Sequence, residues 1–269
     1  MLSFSNIDFS KSSLLHTIIH ALKKIDKNFS SSYVLSDIRN KIKEAKIYVL
    51  VETISELQVK KLLDLFFFRW KFGGAKKKYQ LSDMLWIDKV LKTRQGIALS
   101  LGILLMHIAE EIDLTLTPIL FPTQLILKYF YSDKCTWYFN PLDGETINHR
   151  TLDMWIKGNI SPTSELKKSD LEESTPILIL KKLLNTLKTS LIEEKKMELA
   201  LNTSNVLLEI NPNNPYEIRD RGLIYAQLEC YNASLQDLNY FIEKCPDDPI
   251  SELIKIQIHT IEQKKTNFH

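Results

Sequence analysis

The chain has 269 residues, of which 44% are hydrophobic and 25% are charged, a composition typical of a folded globular protein rather than a disordered or collagen-like chain. Its 35 Lys and Arg residues against 33 Asp and Glu leave a formal net charge of only +2, which disfavours a general nucleic-acid-binding protein. At ~150 residues per domain, this length predicts one large domain or two small ones.

The first third of the chain is predicted to be helical. Apolar residues recur at helical spacing within residues 14–28, 34–50 and 54–70. A further short helix is predicted to stop at Gly96, and the sequence after it, IALSLGILLMHIAEEI, is apolar almost all round. A helix without a polar face is buried on every side, so this segment is predicted to be the central helix of its domain.

The periodicity then changes to that of β-strands. TLTPILF, QLILKYFY and CTWYFN are rich in β-branched and aromatic residues and are separated by turn residues. They predict three antiparallel strands that pack on the central helix. An α+β domain is therefore expected over residues 1–160, followed by a polar linker over residues 161–176 that is flanked by prolines.

Residues 177–269 are predicted to form an all-α module of helical repeats. Prolines recur at a constant spacing, because Pro212 and Pro215 are followed by Pro246 and Pro249, 34 residues later in each case. A 34-residue helix–turn–helix period is the signature of tetratricopeptide repeats. The sequence predicts two such repeats and a final capping helix.

This region resembles a tetratricopeptide array, and the resemblance places Gly222 and Tyr225 on the small and aromatic positions of one repeat. The preceding repeat departs from the pattern, because Lys188 stands where glycine is usual. The resemblance implies protein binding along one helical stripe, where an arginine could pair with a partner's carboxylate. Alternatively, the stripe is an internal interface with the N-terminal domain. Its residues are Tyr216, Arg219, Leu223, Ala226 and Gln227.

The middle of the chain resembles the transglutaminase-like and papain-like core, in which a Cys at the start of a buried helix acts with a His and an Asp. This alignment places Ala98 at the Cys position, Gln124 at the His position and Asn140 at the Asp position. Alanine has no nucleophilic atom, and a Gln amide does not accept a proton near neutral pH. The resemblance therefore predicts a degenerate core without thiol catalysis.

Two alternatives keep chemistry or binding in this core. Ser100 could serve as the nucleophile of a serine-type hydrolase or acyl-transferase. His107 lies about 10 Å further along the same helix, at ~1.5 Å per residue, which is too far for a hydrogen bond, so His149 would have to act as the base. The degenerate cleft could instead bind a peptide or a small amide without turning it over.

The compartment and the cofactors follow from what the sequence lacks. The three cysteines form no Cys-x-x-Cys pair, which fits free thiols in a reducing compartment. The most apolar stretch, residues 97–109, is shorter than the ~20 residues of a membrane-spanning helix. His16 and His20 lie four residues apart without a further ligand at zinc-site spacing. A cytoplasmic protein is expected, without a metal or another cofactor.

Motifs from both regions occur in one order: KYQLSDMLWIDKVLKTRQG, FPTQLIL, NPLDGE, WIKGNISP and NPNNPYEIRDRGLIYAQL. In this order they resemble the bacterial SirB-type family, whose members carry a transglutaminase-like domain followed by tetratricopeptide repeats. That family is defined by its architecture more than by a reaction. A binding architecture joined to an active-site frame without its acid–base groups predicts a non-catalytic adaptor or regulatory protein that binds a protein partner through the repeat groove, and no nucleic acid, membrane or metal.

Overall fold

The structure is a computed structural model that describes residues 13–76, 79–132 and 135–267. These residues divide into two compact units. The first contains residues 13–23 and 28–183, and the second contains residues 24–27 and 184–267. Each unit has its own cluster of buried apolar side chains.

Six α-helices are described before residue 160, together with a π-helix at Leu65–Arg69 and a 3-10 helix at Leu81–Met84. The most buried of them is the apolar one, in which eleven of thirteen residues are buried, as the lack of a polar face predicts. The prediction of a central helix is therefore confirmed. The six helices are α1 (Leu14–Ile25), α2 (Ser31–Val49), α3 (Ser55–Asp64), α4 (Ile87–Thr93), α5 (Ala98–Glu110) and α6 (His149–Asn159).

Four strands form one antiparallel sheet in the order of the chain. Three of them are the predicted strands. The fourth is only two residues long, too short to show the alternation of polar and apolar residues by which a strand is found in a sequence. The strands are β1 (Thr117–Leu120), β2 (Leu125–Ser132), β3 (Cys135–Phe139) and β4 (Thr146–Ile147).

The sheet packs on α5 at a glycine. A Cβ atom on Gly102 would lie 2.3 Å from Leu125 Cδ2 and 3.4 Å from Pro141 Cγ, so α5 contacts the start of β2 and the turn after β3. Because side chains alternate along a strand, Ile126 points to the other face of the sheet. There it joins a buried apolar cluster that includes Ile156 of α6.

Residues 161–176, predicted to be a linker, contact the sheet within the first unit. The Leu120 N–H of β1 donates to Ser174 Oγ at 2.9 Å. Leu166 and Leu171 pack against the apolar cluster on the α6 side of the sheet. These two leucines anchor a segment that is otherwise polar.

The C-terminal part of the chain consists of helices, as the 34-residue period predicts. Close packing between two of them depends on Gly222, since a Cβ atom there would lie 3.0 Å from both Asp237 Cβ and Leu238 Cδ2. No helix in the described ranges is long and apolar enough to cross a membrane. The helices are α7 (Pro176–Glu193), α8 (Met197–Ile210), α9 (Pro215–Gln227), α10 (Tyr231–Lys244) and α11 (Ser251–Asn267).

Candidate functional site

The three positions that the alignment assigns to a catalytic triad lie in one region of the fold, near the first turns of α5. Ala98 is the first residue of this helix and is buried. Gly102 lies one turn later on the same face and packs against the residues that directly follow Gln124 and Asn140. The fold therefore brings the three positions into one region, as the alignment with the transglutaminase-like core requires.

The two amides at this place bind each other. Gln124 Nε2 donates to Asn140 Oδ1 at 3.1 Å. The same oxygen accepts the Leu142 N–H at 3.1 Å, and Asn140 Nδ2 donates to Asp143 Oδ2 at 2.9 Å. The turn after β3 thus fixes the Asn140 amide. Neither amide takes up a proton near neutral pH, so this pair cannot act as a general base.

The side chain of Ser100, the alternative nucleophile, is buried and hydrogen-bonded to the backbone. Its side chain is fully buried, and Oγ donates to Met84 O at 2.6 Å. The same Oγ accepts the Ile97 N–H at 3.2 Å, which satisfies a backbone donor at the start of α5. A hydroxyl that is buried and bonded in this way links the start of α5 to the preceding segment and is not accessible to a substrate.

The two histidines considered as its base have other contacts. His107 Nδ1 lies 3.2 Å from Ser13 Oγ, and its ring makes an edge contact with the His16 ring at 5.8 Å. The His149 ring makes an edge contact with Tyr138, also at 5.8 Å. None of these contacts supports a Ser–His pair at Ser100.

Gly73 packs by its backbone against the segment that precedes α5 and against the turn after β3. Gly73 N–H donates to Arg94 O at 3.0 Å, and Gly96 N–H donates to Gly73 O at 3.1 Å. A Cβ atom on Gly73 would lie 3.4 Å from Leu142 O. These glycines therefore allow a close approach between the start of α5 and the turn after β3.

The predicted stripe on α9 divides into a packed part and an open part. Leu223 and Ala226 pack against a buried cluster formed by residues of α10 and α11. Tyr216 is 46% exposed, and Gln227 is also exposed. The surface available to a partner therefore lies mainly at the two ends of the stripe.

Arg219 is held in place by aromatic rings and a neighbouring carboxylate. Its guanidinium lies 5.5 Å from the Tyr216 ring centre and 5.4 Å from that of Phe241. Nε and Nη2 both donate to Asp220 Oδ1, at 3.0 and 2.6 Å. Tyr216 Oη donates to Asp248 Oδ2 at 2.8 Å, and this bond raises the pKa of Tyr216. The arginine is thus oriented before any partner binds.

A buried ion network next to the stripe was not predicted from the sequence. Lys188 Nζ of α7 lies 2.6 Å from Glu217 Oε2 and 2.8 Å from Asp220 Oδ2. The other Glu217 oxygen accepts from Ser204 Oγ at 2.5 Å. Lys188, which stands where the repeat pattern has glycine, is therefore matched by carboxylates on α9. The only signal in the sequence was that departure from the pattern.

Comparisons with known proteins agree with this architecture. The family model of the transglutaminase-like superfamily matches residues 32–185, and a tetratricopeptide repeat model matches residues 187–259. No solved structure matches the chain.

Three relatives align with this chain over its whole length and over their own. It is 58% identical to a UPF0162 protein of Buchnera aphidicola subsp. Schizaphis graminum. It is 47% identical to Protein SirB1 of Salmonella typhimurium and 47% identical to the UPF0162 protein YchA of Escherichia coli K12. The chain therefore belongs to the SirB1 and UPF0162 family and combines a transglutaminase-like region with tetratricopeptide repeats.

Proposed function

We propose that this protein is a cytoplasmic adaptor or regulator that binds another protein and does not catalyse acyl transfer. The observation that carries the proposal is the amide pair of Gln124 and Asn140 beside Ala98. This arrangement has the frame of a nucleophilic active site without a nucleophile or a group that takes up its proton. The free thiols of Cys230 and Cys245 are compatible with a reducing compartment.

The proposed binding surface is the stripe on α9, comprising Tyr216, Arg219, Leu223, Ala226 and Gln227. Tetratricopeptide repeats generally mediate protein–protein interaction, and this stripe carries an arginine that is already oriented by Asp220 and two rings. An ordered guanidinium loses little side-chain entropy when it pairs with a carboxylate. The preferred partner therefore presents a carboxylate to the Tyr216 end of the stripe.

Arg219→Glu is expected to abolish capture of the partner. The substitution replaces the oriented cation with an anion next to Asp220, so a carboxylate on the partner would be repelled. The full-length chain and the variant would be used to capture proteins from the native cytoplasm, with mass spectrometry to identify and quantify them.

The matched control is Arg150→Glu, which makes the same change in charge at an exposed position of α6. It should leave capture unchanged. Equal recovery of a stoichiometric partner by the wild type and by Arg219→Glu, with both chains folded by circular dichroism, would exclude the stripe as the binding surface.

The absence of catalysis is tested separately. We expect the chain to incorporate no fluorescent primary amine into a glutamine-containing protein, in an assay where an active transglutaminase serves as the control. A serine-reactive fluorophosphonate probe should leave the buried Ser100 unlabelled. Amine transfer that is lost in Gln124→Ala, or labelling that is lost in Ser100→Ala, would show that the core is an enzyme after all.

A further inference from the structure

We propose that the outer edge of β3 binds an extended, uncharged peptide segment of a partner protein, which adds to the sheet as a further strand. The edge borders a groove of about 1000 Å³ that is walled on its other side by α3 and by the π-helix Leu65–Arg69 that follows it. This site is in the transglutaminase-like unit and does not depend on whether the α9 stripe binds a partner.

Among the residues that the structure describes, no strand pairs with the first half of β3 on its outer side, because β4 stops early. Asn148 Oδ1 accepts the Thr151 N–H at 2.9 Å, and this cap starts α6 at His149. The chain therefore leaves the sheet directly after Ile147. The last pair of the β3–β4 ladder is Tyr138 with Ile147, and the first half of β3 extends beyond it.

Backbone groups of β3 point into this open space. The Asn140 N–H donates to Glu145 O at 2.9 Å, so the polar groups of Asn140 face the β4 side. In an antiparallel sheet every second residue faces the same neighbour, which gives Tyr138 and then Thr136. Thr136 lies beyond the last pair, so its N–H and C=O point toward the place that a longer β4 would occupy.

The side chains around the groove favour an apolar segment. Phe68 lines the groove and is 74% exposed, and Trp137 lines it from β3. Trp137 is half-buried, and Lys60 Nζ lies 5.2 Å from its ring centre, so Phe68 is the exposed aromatic contact for the side chains of an added strand, while the backbone hydrogen bonds provide affinity.

The charged side chains of α3 that line the groove already form ion pairs, which favours an uncharged peptide. Lys60 Nζ lies 2.6 Å from Glu56 Oε1, and Asp64 Oδ2 lies 3.7 Å from Arg69 Nε. Each charged side chain of α3 in the groove thus has a partner of opposite sign just outside it. An uncharged segment binds there without breaking either pair, whereas a charged one would compete for them.

The test is a selection of random twelve-residue peptides displayed on phage against the full-length chain. The selected peptides would be synthesised, and their affinity measured by fluorescence anisotropy. We expect them to be apolar and uncharged at their centre. Phe68→Ala should weaken binding about tenfold, as expected for the loss of a central aromatic contact.

Thr136→Pro removes the edge N–H and should weaken binding by a similar factor. Proline is tolerated on an edge strand when its N–H side faces away from the ladder, so pairing with β2 should survive. Phe130→Ala is the matched control, because Phe130 is a 56% exposed aromatic residue of the same sheet and does not line the groove. It should leave the affinity unchanged.

A second measurement does not depend on variants of the protein. In an added strand, N-methylation of the peptide should abolish binding at every second position only, because alternate N–H groups face the sheet. Equal effects at all positions, no enriched peptide, or affinity insensitive to both Phe68→Ala and Thr136→Pro would overturn the proposal. A dimer in sedimentation velocity that Thr136→Pro dissociates would also overturn it, because a second copy would then occupy the edge.

Discussion

His107 is a buried ionisable residue on the apolar helix α5. Its Nδ1 lies 3.2 Å from Ser13 Oγ, and its ring contacts His16. Burial is the main cause that lowers the pKa of His107 below its ordinary value, and the positive charge of His16 acts in the same direction, whereas Glu111 opposes it. The neutral imidazole is therefore the form that the folded protein prefers.

This preference predicts a loss of stability in mild acid. In the unfolded chain His107 titrates near its ordinary pKa of ~6.5, so the unfolded state binds more protons than the folded state below that pH. The contribution is complete above pH ~6.5 and is lost as the pH falls toward the lower pKa of the folded state. Urea unfolding between neutral and mildly acidic pH should therefore show a falling free energy of unfolding that is weaker in His107→Gln.

The control for this effect is His259→Gln. His259 is an exposed residue of α11 whose ring lies 3.0 Å from the Gln263 amide, so this variant should keep the acid dependence of the wild type. An unchanged slope in His107→Gln would mean that another group causes the acid sensitivity.

The ion network of α7, α8 and α9 contributes to stability between elements. The side chains of Lys188 and Glu217 are only 4% and 6% exposed. Two charges so deeply buried have lost most of their hydration, and their attraction together with the Ser204 hydrogen bond compensates for that loss. Removal of Lys188 leaves Glu217 charged in the interior without its cation, and removal of Glu217 leaves Lys188 with the partly exposed Asp220 as its carboxylate partner.

Lys188→Met is therefore expected to lower the free energy of unfolding by about 3–5 kcal/mol, the usual cost of breaking a buried pair from one side. The double variant Lys188→Met with Glu217→Met should recover most of this loss, because no unpaired charge remains at the two positions. Chemical denaturation of the wild type and the three variants, including Glu217→Met alone, gives the coupling between the two residues.

Lys255→Met is the control, because it breaks an ion pair at the surface instead of a buried one. Lys255 pairs with Glu252 at 2.6 Å, but both side chains are at least half exposed, so the expected loss is about 1 kcal/mol or less. A single loss at Lys188 as small as that at Lys255, or a double variant as unstable as the sum of the single ones, would contradict the account of the buried pair.

At the scale of elements, the sequence predicts the helices and strands that are set by local patterns of residues. The helices follow from apolar periodicity, and the three longer strands follow from segments of six to eight residues that are rich in β-branched and aromatic side chains. The strand β4 could not be found this way, because it has two residues and exists only through its pairing with β3. The packing of residues 161–176 also depends on just two leucines, Leu166 and Leu171, in a polar stretch.

The candidate site was predicted in part. The alignment with the transglutaminase-like core located Ala98, Gln124 and Asn140, but it could not show that the two amides bind each other. The role of Ser100 depends on a carbonyl sixteen residues earlier in the chain, at Met84. Such contacts are set by tertiary packing and leave no periodic signal in the sequence.

At the scale of the whole molecule, the chain combines two units that suit different tasks. The first matches the transglutaminase-like superfamily and carries the Gln124–Asn140 amide pair, and the second consists of tetratricopeptide repeats. The basic and acidic residues of the whole chain nearly balance, at 35 and 33. Both proposed binding surfaces, at Arg219 on α9 and at the edge of β3, accordingly rely on local features rather than on a general electrostatic attraction.

The Lys188–Glu217 pair has a consequence for the history of this repeat. Neutral residues at both positions 188 and 217 would bury no charge, and the Lys188–Glu217 pair buries two charges that match. A chain with only one of the two changes keeps a buried charge without its closest partner and loses about 3–5 kcal/mol, a large part of the ~5–15 kcal/mol by which proteins are stable. We therefore expect substitutions at these two positions to be tolerated better together than singly, although 29 positions separate them in the chain.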